Sequence, residues 1–259
     1  LSGLILLISA AIFLQTKSGQ KKVSEVVTQY LTKKIDSPFK ASISYKFPDW
    51  INLKSLLIID QKADTLIYSE NTQVDLDLLA LLNNEVKINK AKLQNSYINI
   101  YENNGTANYQ YVLDAFTSKT ADTSSQPFLF QLSDIDINNL RLKYNTSEIK
   151  SNLLISQLST GFNQLKPETN QYYFNPVKVQ GLKLDLAILE SNKVSKTDTK
   201  TRLPDIRMST FSGNNLHISI KNGQNTYKIN NLDLAFLAQN LDLPQEKFSF
   251  DYFNAKANQ

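Results

Sequence analysis

The alternation of apolar and polar residues along this chain repeatedly loses one beat, and that constrains its fold more than any other feature. In "DIDINNLRLKYN" (134–145), Ile135 and Ile137 occupy odd positions, and Leu140, Leu142 and Tyr144 even ones. In "VKVQGLKLDLAI", Val177 and Val179 give way to Leu182, Leu184 and Leu186. In "KINNLDLAF", Ile229 gives way to Leu232, Leu234 and Phe236. Looser copies are "KLQNSYINI", with Ile98 and Ile100, and "FSGNNLHISI", with Leu216, Ile218 and Ile220. Strict alternation marks a half-buried strand. A lost beat has two explanations: Asn-Asn or Gln-Gly forms the two-residue turn of a hairpin, or an extra residue bulges from a continuing strand, two residues opposing one. Hairpin arms of about three to five residues would be too short to be stable edges. The bulge is therefore preferred. It keeps the apolar residues on one face and supplies the bend that a strand over 128–144, ~55 Å long at about 3.3 Å per residue, requires.

From residue 39 onward the chain reads as strand and turn. Strands are expected over 39–47, 51–60, 65–78, 85–101, 128–144, 149–162, 171–189, 204–221 and 225–240, with a last one from 247. "LLALLNN" reads as a turn or two of helix, and "NYQYVLDAF" as a short helix. "TSKTADTSSQ" and "ESNKVSKTDTKT" read as polar loops. Leu140, Leu182 and Leu216 fall 42 and 34 residues apart, a degenerate repeat of strand units. The expected fold is mainly β: an elongated, curved antiparallel sheet of long bulged strands, taco-like, one face apolar and the other rich in Lys, Asp, Asn and Ser. The residues named above other than Ile229, with Leu76 and Leu78, would line the apolar face. Such a face must be covered by a second layer or filled by a ligand.

Residues 1–14, "LSGLILLISAAIFL", carry no charge. As a helix they span roughly 21 Å, short of the ~30 Å hydrocarbon core. The chain begins at Leu1, and residues 1–16 are read as a transmembrane anchor truncated at its start, its apolar surface supplied by Leu4, Ile5, Leu6, Leu7, Ile8, Ile12, Phe13 and Leu14. A signal peptide and a buried core helix are the rivals; "LQTKSGQ" offers no small-x-small cleavage site. Over 17–37, Val23, Val26, Val27, Tyr30 and Leu31 follow one helical face. Ser18 is placed to cap the start and Pro38 lies beyond the end. A helix closing the end of the sheet is preferred to one lying on a membrane. Residues 38–259 form the groove repeats. They are expected to continue past Gln259, because "KFSFDYFNAKANQ" reads as a strand without a terminating element.

The 259 residues contain no cysteine, one histidine and a net charge of +4. That excludes a disulfide framework, thiolate chemistry and most histidine-based catalysis or zinc binding. The dispersed lysines argue against nucleic acid. His217 alternates with Leu216 and Ile218 and is expected at the surface. Asp75, Asp77, Asp134 and Asp136 read as the wet face of strands, and Trp50 as a rim residue. No catalytic residue, metal or cofactor is assigned, and the chain is not read as an enzyme.

One family shares this order of features. Asp60 with Asp64-Thr65-Leu66-Ile67, then Leu78-Leu79-Ala80-Leu81-Leu82 before Val86-Lys87-Ile88, then Asn104-Gly105 with Asn108-Tyr109-Gln110-Tyr111-Val112, resembles the amino-terminal part of the TamB translocation and assembly module family. That family lies within the AsmA-like superfamily, and the likeness is to its Bacteroidota form. It is best over residues 1–116 and pattern-level beyond. It implies a single-pass inner-membrane protein whose periplasmic body is an open β-groove. The resemblance further implies that such a body would move phospholipid towards the outer membrane and support outer-membrane biogenesis and protein secretion. The implied partners are phospholipid, the inner membrane and, through a carboxy-terminal region absent here, an outer-membrane β-barrel of the TamA or BamA kind.

Three readings follow. The first is a lipid conduit. The second is a structural or chaperone-like module that pairs outer-membrane proteins at its sheet edge. A β-rich adhesin comes third, since it leaves the apolar start unexplained. Lys17, Lys21 and Lys22 after the anchor would draw this side toward the cytoplasm by the positive-inside rule, opposite to the orientation the resemblance implies.

Overall fold

In a computed structural model, the structure describes residues 13, 15–35, 37–47, 49–77, 80, 85–103, 105–117, 129–166, 171–189, 205–242 and 247–257. Among the described residues, two helices, α1 (Lys17–Ile35) and α2 (Gln110–Thr117), accompany thirteen strands. These are β1 (Phe39–Lys46), β2 (Trp50–Ile59), β3 (Thr65–Leu76), β4 (Glu85–Asn103), β5 (Thr106–Ala107), β6 (Leu129–Asn145) and β7 (Ile149–Lys166). They continue with β8 (Gln171–Phe174), β9 (Val177–Ile188), β10 (Asp205–Met208), β11 (Thr210–Asn222), β12 (Asn225–Asp242) and β13 (Lys247–Ala257). The main sheet is large, curved and open, in the order β1-β2-β3-β4-β6-β7-β9-β11-β12-β13. Nine inter-strand spacings of about 4.8 Å make it ~43 Å across.

The sheet is mixed, which corrects the expectation of an antiparallel one. β4 pairs β6 in parallel, and β9 pairs β11 in parallel; the other neighbours on the path are antiparallel. The physical reason lies in the two polar segments expected as loops. Each joins strands running the same way, so each belongs to a crossover, the connection that parallel neighbours need. Most of those two segments, and most of "LLALLNN", lie outside the described residues. The strand expected over 171–189 divides at Asn175 and Pro176, and 204–221 divides at Ser209. The pairing nevertheless runs on: β10 against β8 and β11 against β9 keep one register throughout.

The lost beat has a different origin from the one expected. Strands do continue through it, but most stay paired one residue to one. Gln94 faces Asn138 and Ser96 faces Leu140; Asn138 faces Gln157 and Leu140 faces Ile155; Gln180 faces Asn214 and Leu182 faces Leu216. Between those pairs lie residues with left-handed backbone: Ser55, Asn95, Asn139, Gly181 and Asn215, at φ of 52, 50, 57, 62 and 55°. They sit on β2, β4, β6, β9 and β11, all running in the same direction, and at one level of the sheet. A left-handed residue points two consecutive side chains the same way, so each strand changes phase there together with its neighbours. True register shifts occur near the seam only at the flanks, between Lys40 and Ser42 against β2 and between Gly213 and Ile218 against β12, where Asn231 is also left-handed. Asn tolerates this conformation better than most L-residues. Gly181 is under a further constraint, since a Cβ there would lie 2.5 Å from Ser156 Oγ.

The result is a polar seam on the outer face. Lys54-Ser55, Gln94-Asn95, Asn138-Asn139, Ser156-Gln157 and Asn214-Asn215 are exposed pairs. Their amides bond across strands: Asn139 Nδ2 donates to Asn95 Oδ1 at 2.8 Å, Asn95 Nδ2 to Glu70 Oε2 at 2.5 Å, and Asn71 Nδ2 to Gln94 Oε1 at 3.1 Å. The Asn215 N–H donates to Asp233 Oδ1 at 3.0 Å, and His217 bonds Asn215 Oδ1 at 3.0 Å.

Helix α1 closes one side of the sheet, as expected. Val23 and Val27 pack against a core of Phe39, Ile43, Tyr45, Ile51, Leu53 and Leu56. The cap is Thr16 rather than Ser18: its Oγ1 accepts the Gly19 N–H at 3.1 Å. The Gln20 amide imitates a strand. Its Nε2 donates to Tyr45 O and its Oε1 accepts the Tyr45 N–H, both at 2.5 Å, so the β1 edge is blocked at Tyr45.

At the other end of α1, four of the residues that carried the family likeness, Asp60, Asp64, Asn108 and Tyr111, meet. Asp60 is 3% exposed. Its carboxylate accepts from Tyr101 Oη at 2.7 Å, Asn108 Nδ2 at 3.1 Å, and the Lys62 and Asp64 N–H groups at 2.9 Å each. Burial pushes its pKa up, but these four donors together hold it below the ordinary carboxylate value. Burial and the same carboxylate push Tyr101 up to about 12. Tyr111, on α2, donates to Ile59 O at 3.2 Å. Both oxygens of Asp60 face donors of the fold, so this is a clasp holding β2, β3, β4 and α2.

Candidate functional site

The inner face is built from aligned apolar rows. One row runs Ile58, Ile67, Ile98, Leu142, Leu153, Leu184, Ile218 and Ile229, each paired with the next. The next row runs through Leu56, Ser69, Ser96, Leu140, Ile155, Leu182, Leu216 and Leu232. On the far side of the seam, Thr72, Leu93, Ile137, Leu158 and Val179 form a third. The change of phase puts Ile137 and Leu140, three residues apart, on one face. With strict alternation Leu140 and Leu142 would point outward and the apolar surface would end at the seam.

Most of the predicted lining is brought together. Ile137, Leu140, Val177, Val179 and Leu216 belong to one buried cluster with Ile155, and Ile98, Ile135, Leu142, Leu182, Leu232 and Leu234 pack against it. Leu184, Ile218, Ile100, Leu186 and Ile220 are half-buried on the same face, the last three in a row with Tyr144, which is 40% exposed. Phe236 stacks on Phe211 with ring centroids 5.3 Å apart. Leu76 is different. It packs in the core under α1, because β3 ends beside that helix, and it does not line the open stretch. Leu78 lies outside the described residues, as do Leu4, Ile5, Leu6, Leu7, Ile8, Ile12 and Leu14. Phe13 is 49% exposed. Among the described residues no helix is long and apolar enough to cross a membrane.

Several lining residues were missed. Leu153, Ile155 and Leu158 carry the same phase change in "NLLISQL". In "INLKSLLII", Ile51 and Leu53 give way to Leu56 and Ile58, and Ser55 is the left-handed residue. Phe174, Met208 and Phe211 pack against the larger cluster; they sit where strands divide, and no alternation pointed to them.

The face is interrupted by a polar strip. Ser69 is fully buried, and Thr72 and Ser96 are 6% and 4% exposed. Ser96 Oγ donates to Ser69 Oγ at 2.9 Å, and Ser69 Oγ donates to Asn71 O and Gln94 O at 3.2 Å. The strip interrupts two of the rows between the core under α1 and the larger cluster, while the row through Ile58, Ile67 and Ile98 passes it unbroken. Beyond that cluster the lining becomes exposed and aromatic: Phe250 is 39% exposed, Tyr227 61% and Phe253 58%.

No family model matches the chain, and no curated protein matches it.

Proposed function

We propose that the chain is the membrane-proximal part of an inner-membrane-anchored, periplasm-spanning lipid conduit, with the inner face as a taco-like groove for phospholipid tails. The observation that carries this is the unbroken row Ile98, Leu142, Leu153, Leu184 and Ile218, half-buried on a face that α1 covers at one side only. A tail gains about 0.8 kcal/mol for each CH₂ taken out of water. Repeated Leu and Ile offer it a surface with no fixed stopping point, while its head group stays in solvent. The family resemblance, with phospholipid as cargo, supports the same reading.

The test is photo-crosslinking in membranes. A photoreactive residue at Leu142 should capture phospholipid, and Leu184→Asp should lower that capture while the circular dichroism of the sheet is unchanged. Capture that stays the same with Asp at Leu184 and Ile218 would end the conduit reading.

A second reading, a module that tethers or assists outer-membrane β-barrel proteins, draws on β13. This strand pairs β12 on one side and no other described strand. Partner capture that survives Leu184→Asp and is lost when proline interrupts β13 would favour it.

A further inference from the structure

The β1–β2 turn carries a feature that the groove does not use. Phe47, at the turn, is 58% exposed. Trp50 follows at the start of β2, half-buried on the outer face, with Lys92 Nζ 5.0 Å from its ring centroid. The two Gln20–Tyr45 bonds tie the first turn of α1 to this end of β1. Lys17, Lys21 and Lys22, all exposed, lie within one turn of Gln20, and exposed Lys46 pairs with Trp50 across the turn. Two aromatic rings and a group of ammonium ions thus gather at one corner of the molecule.

We propose that this corner is a docking surface for an anionic phospholipid bilayer, with Phe47 seated at the acyl boundary and Trp50 at the head-group level. Tryptophan favours that depth because its ring is apolar and its N–H is polar. Lysines nearby are drawn to the negative surface potential. The acidic groups at this end are Asp49, Asp75 and Asp77. Partial burial and the neighbouring charges of Asp75 and Asp77 raise the Asp49 pKa, and the lysines Lys17, Lys21, Lys22, Lys46 and Lys92 outnumber these three carboxylates. Glu25 lies 4.0 Å from Lys21. The surface shares with the function proposed above only a chain attached to a membrane. It would set how the sheet stands on the bilayer.

Trp50 is the sole tryptophan, so its fluorescence reports on this corner alone. The full chain is mixed with vesicles of phosphatidylcholine and phosphatidylglycerol whose acyl chains carry bromine near the head group or near the chain end. The expected result is a blue-shifted emission, quenched more by the shallow bromines. Phe47→Asp should reduce both effects and leave lipid capture at Leu142 unchanged. Unshifted and unquenched emission in vesicles that float with the protein would overturn the proposal, as would failure to float at all. Equal quenching in purely phosphatidylcholine vesicles would remove the role given to the lysines and overturn the anionic preference.

Discussion

Ile51 and Phe253 lie on the same face at opposite sides of one sheet, yet Ile51 is 8% exposed and Phe253 58%. Both are large, and both point inward from their strands. The difference is a covering layer. α1 lies over β1 and β2, and Val23 and Val27 fill the space above Ile43, Leu53 and Leu56. Over β12 and β13 no described element does so. A strand's own sequence says which side is apolar; it does not say what lies on that side.

Substitutions can break this comparison. The largest effect is expected for Leu53→Ala, which should lose about 2–5 kcal/mol of stability by leaving a cavity under the helix. Ile229→Ala, at a row position 46% exposed, should lose less than about 1 kcal/mol, since most of its surface already meets water. Urea unfolding of the two variants decides it, and equal losses would mean that the open side is covered after all.

The clasp at the helix-covered side gives the next effect. Asp60→Ala strands a tyrosine hydroxyl, an amide and two backbone N–H groups, and should cost about 2–3 kcal/mol. The pH dependence has a definite sign. Because the folded carboxyl has the lowered pKa, its contribution is present above the unfolded carboxylate value and is lost as pH falls through the folded one. Asp60→Asn should therefore flatten stability against pH in the acid range. A wild-type slope retained in that variant would assign it to other carboxylates.

Within the seam, Gly181→Ala should cost about 1–3 kcal/mol, from a Cβ driven against Ser156 in a left-handed backbone. Asn139→Gly should be close to neutral, because glycine accepts the same φ. Thermal denaturation compares the pair; a neutral Gly181→Ala would mean that the seam relaxes easily. A modest change in stability, about 1 kcal/mol, is expected for Gln20→Ala. Its clearer sign should be self-association through the freed β1 edge, read by sedimentation.

The strand ranges and α2 were legible because alternation and helical spacing are local. The seam was legible as a lost beat in five places, and its neighbours in β2 and β7 carry the same signal. Its mechanism was not legible. A bulge and a left-handed residue leave the same mark on one strand, and only the pairing of Gln94 with Asn138 and of Ser96 with Leu140 separates them. Parallel pairing was hidden for a related reason, since direction is set by connections whose polar residues resemble any loop. Leu76 was assigned to the lining because its alternation is right, while its place under α1 depends on a contact distant in sequence. Ser18 was expected as the cap in place of Thr16 because both are good caps, and only the fold shows which one the helix uses.

The phase change at Asn95, Asn139, Gly181 and Asn215 has a consequence for how such a chain can vary in length. Each strand counts its residues against those beside it, on both sides of the same line. Removing one residue between Leu140 and Tyr144 would turn every later inward side chain of β6 outward, against partners that had not moved. Growth and shrinkage are tolerable in the connections between strands, such as the crossovers where α2 leads into β6 and β9 into β10. The strands themselves behave like the teeth of a comb that share one spine.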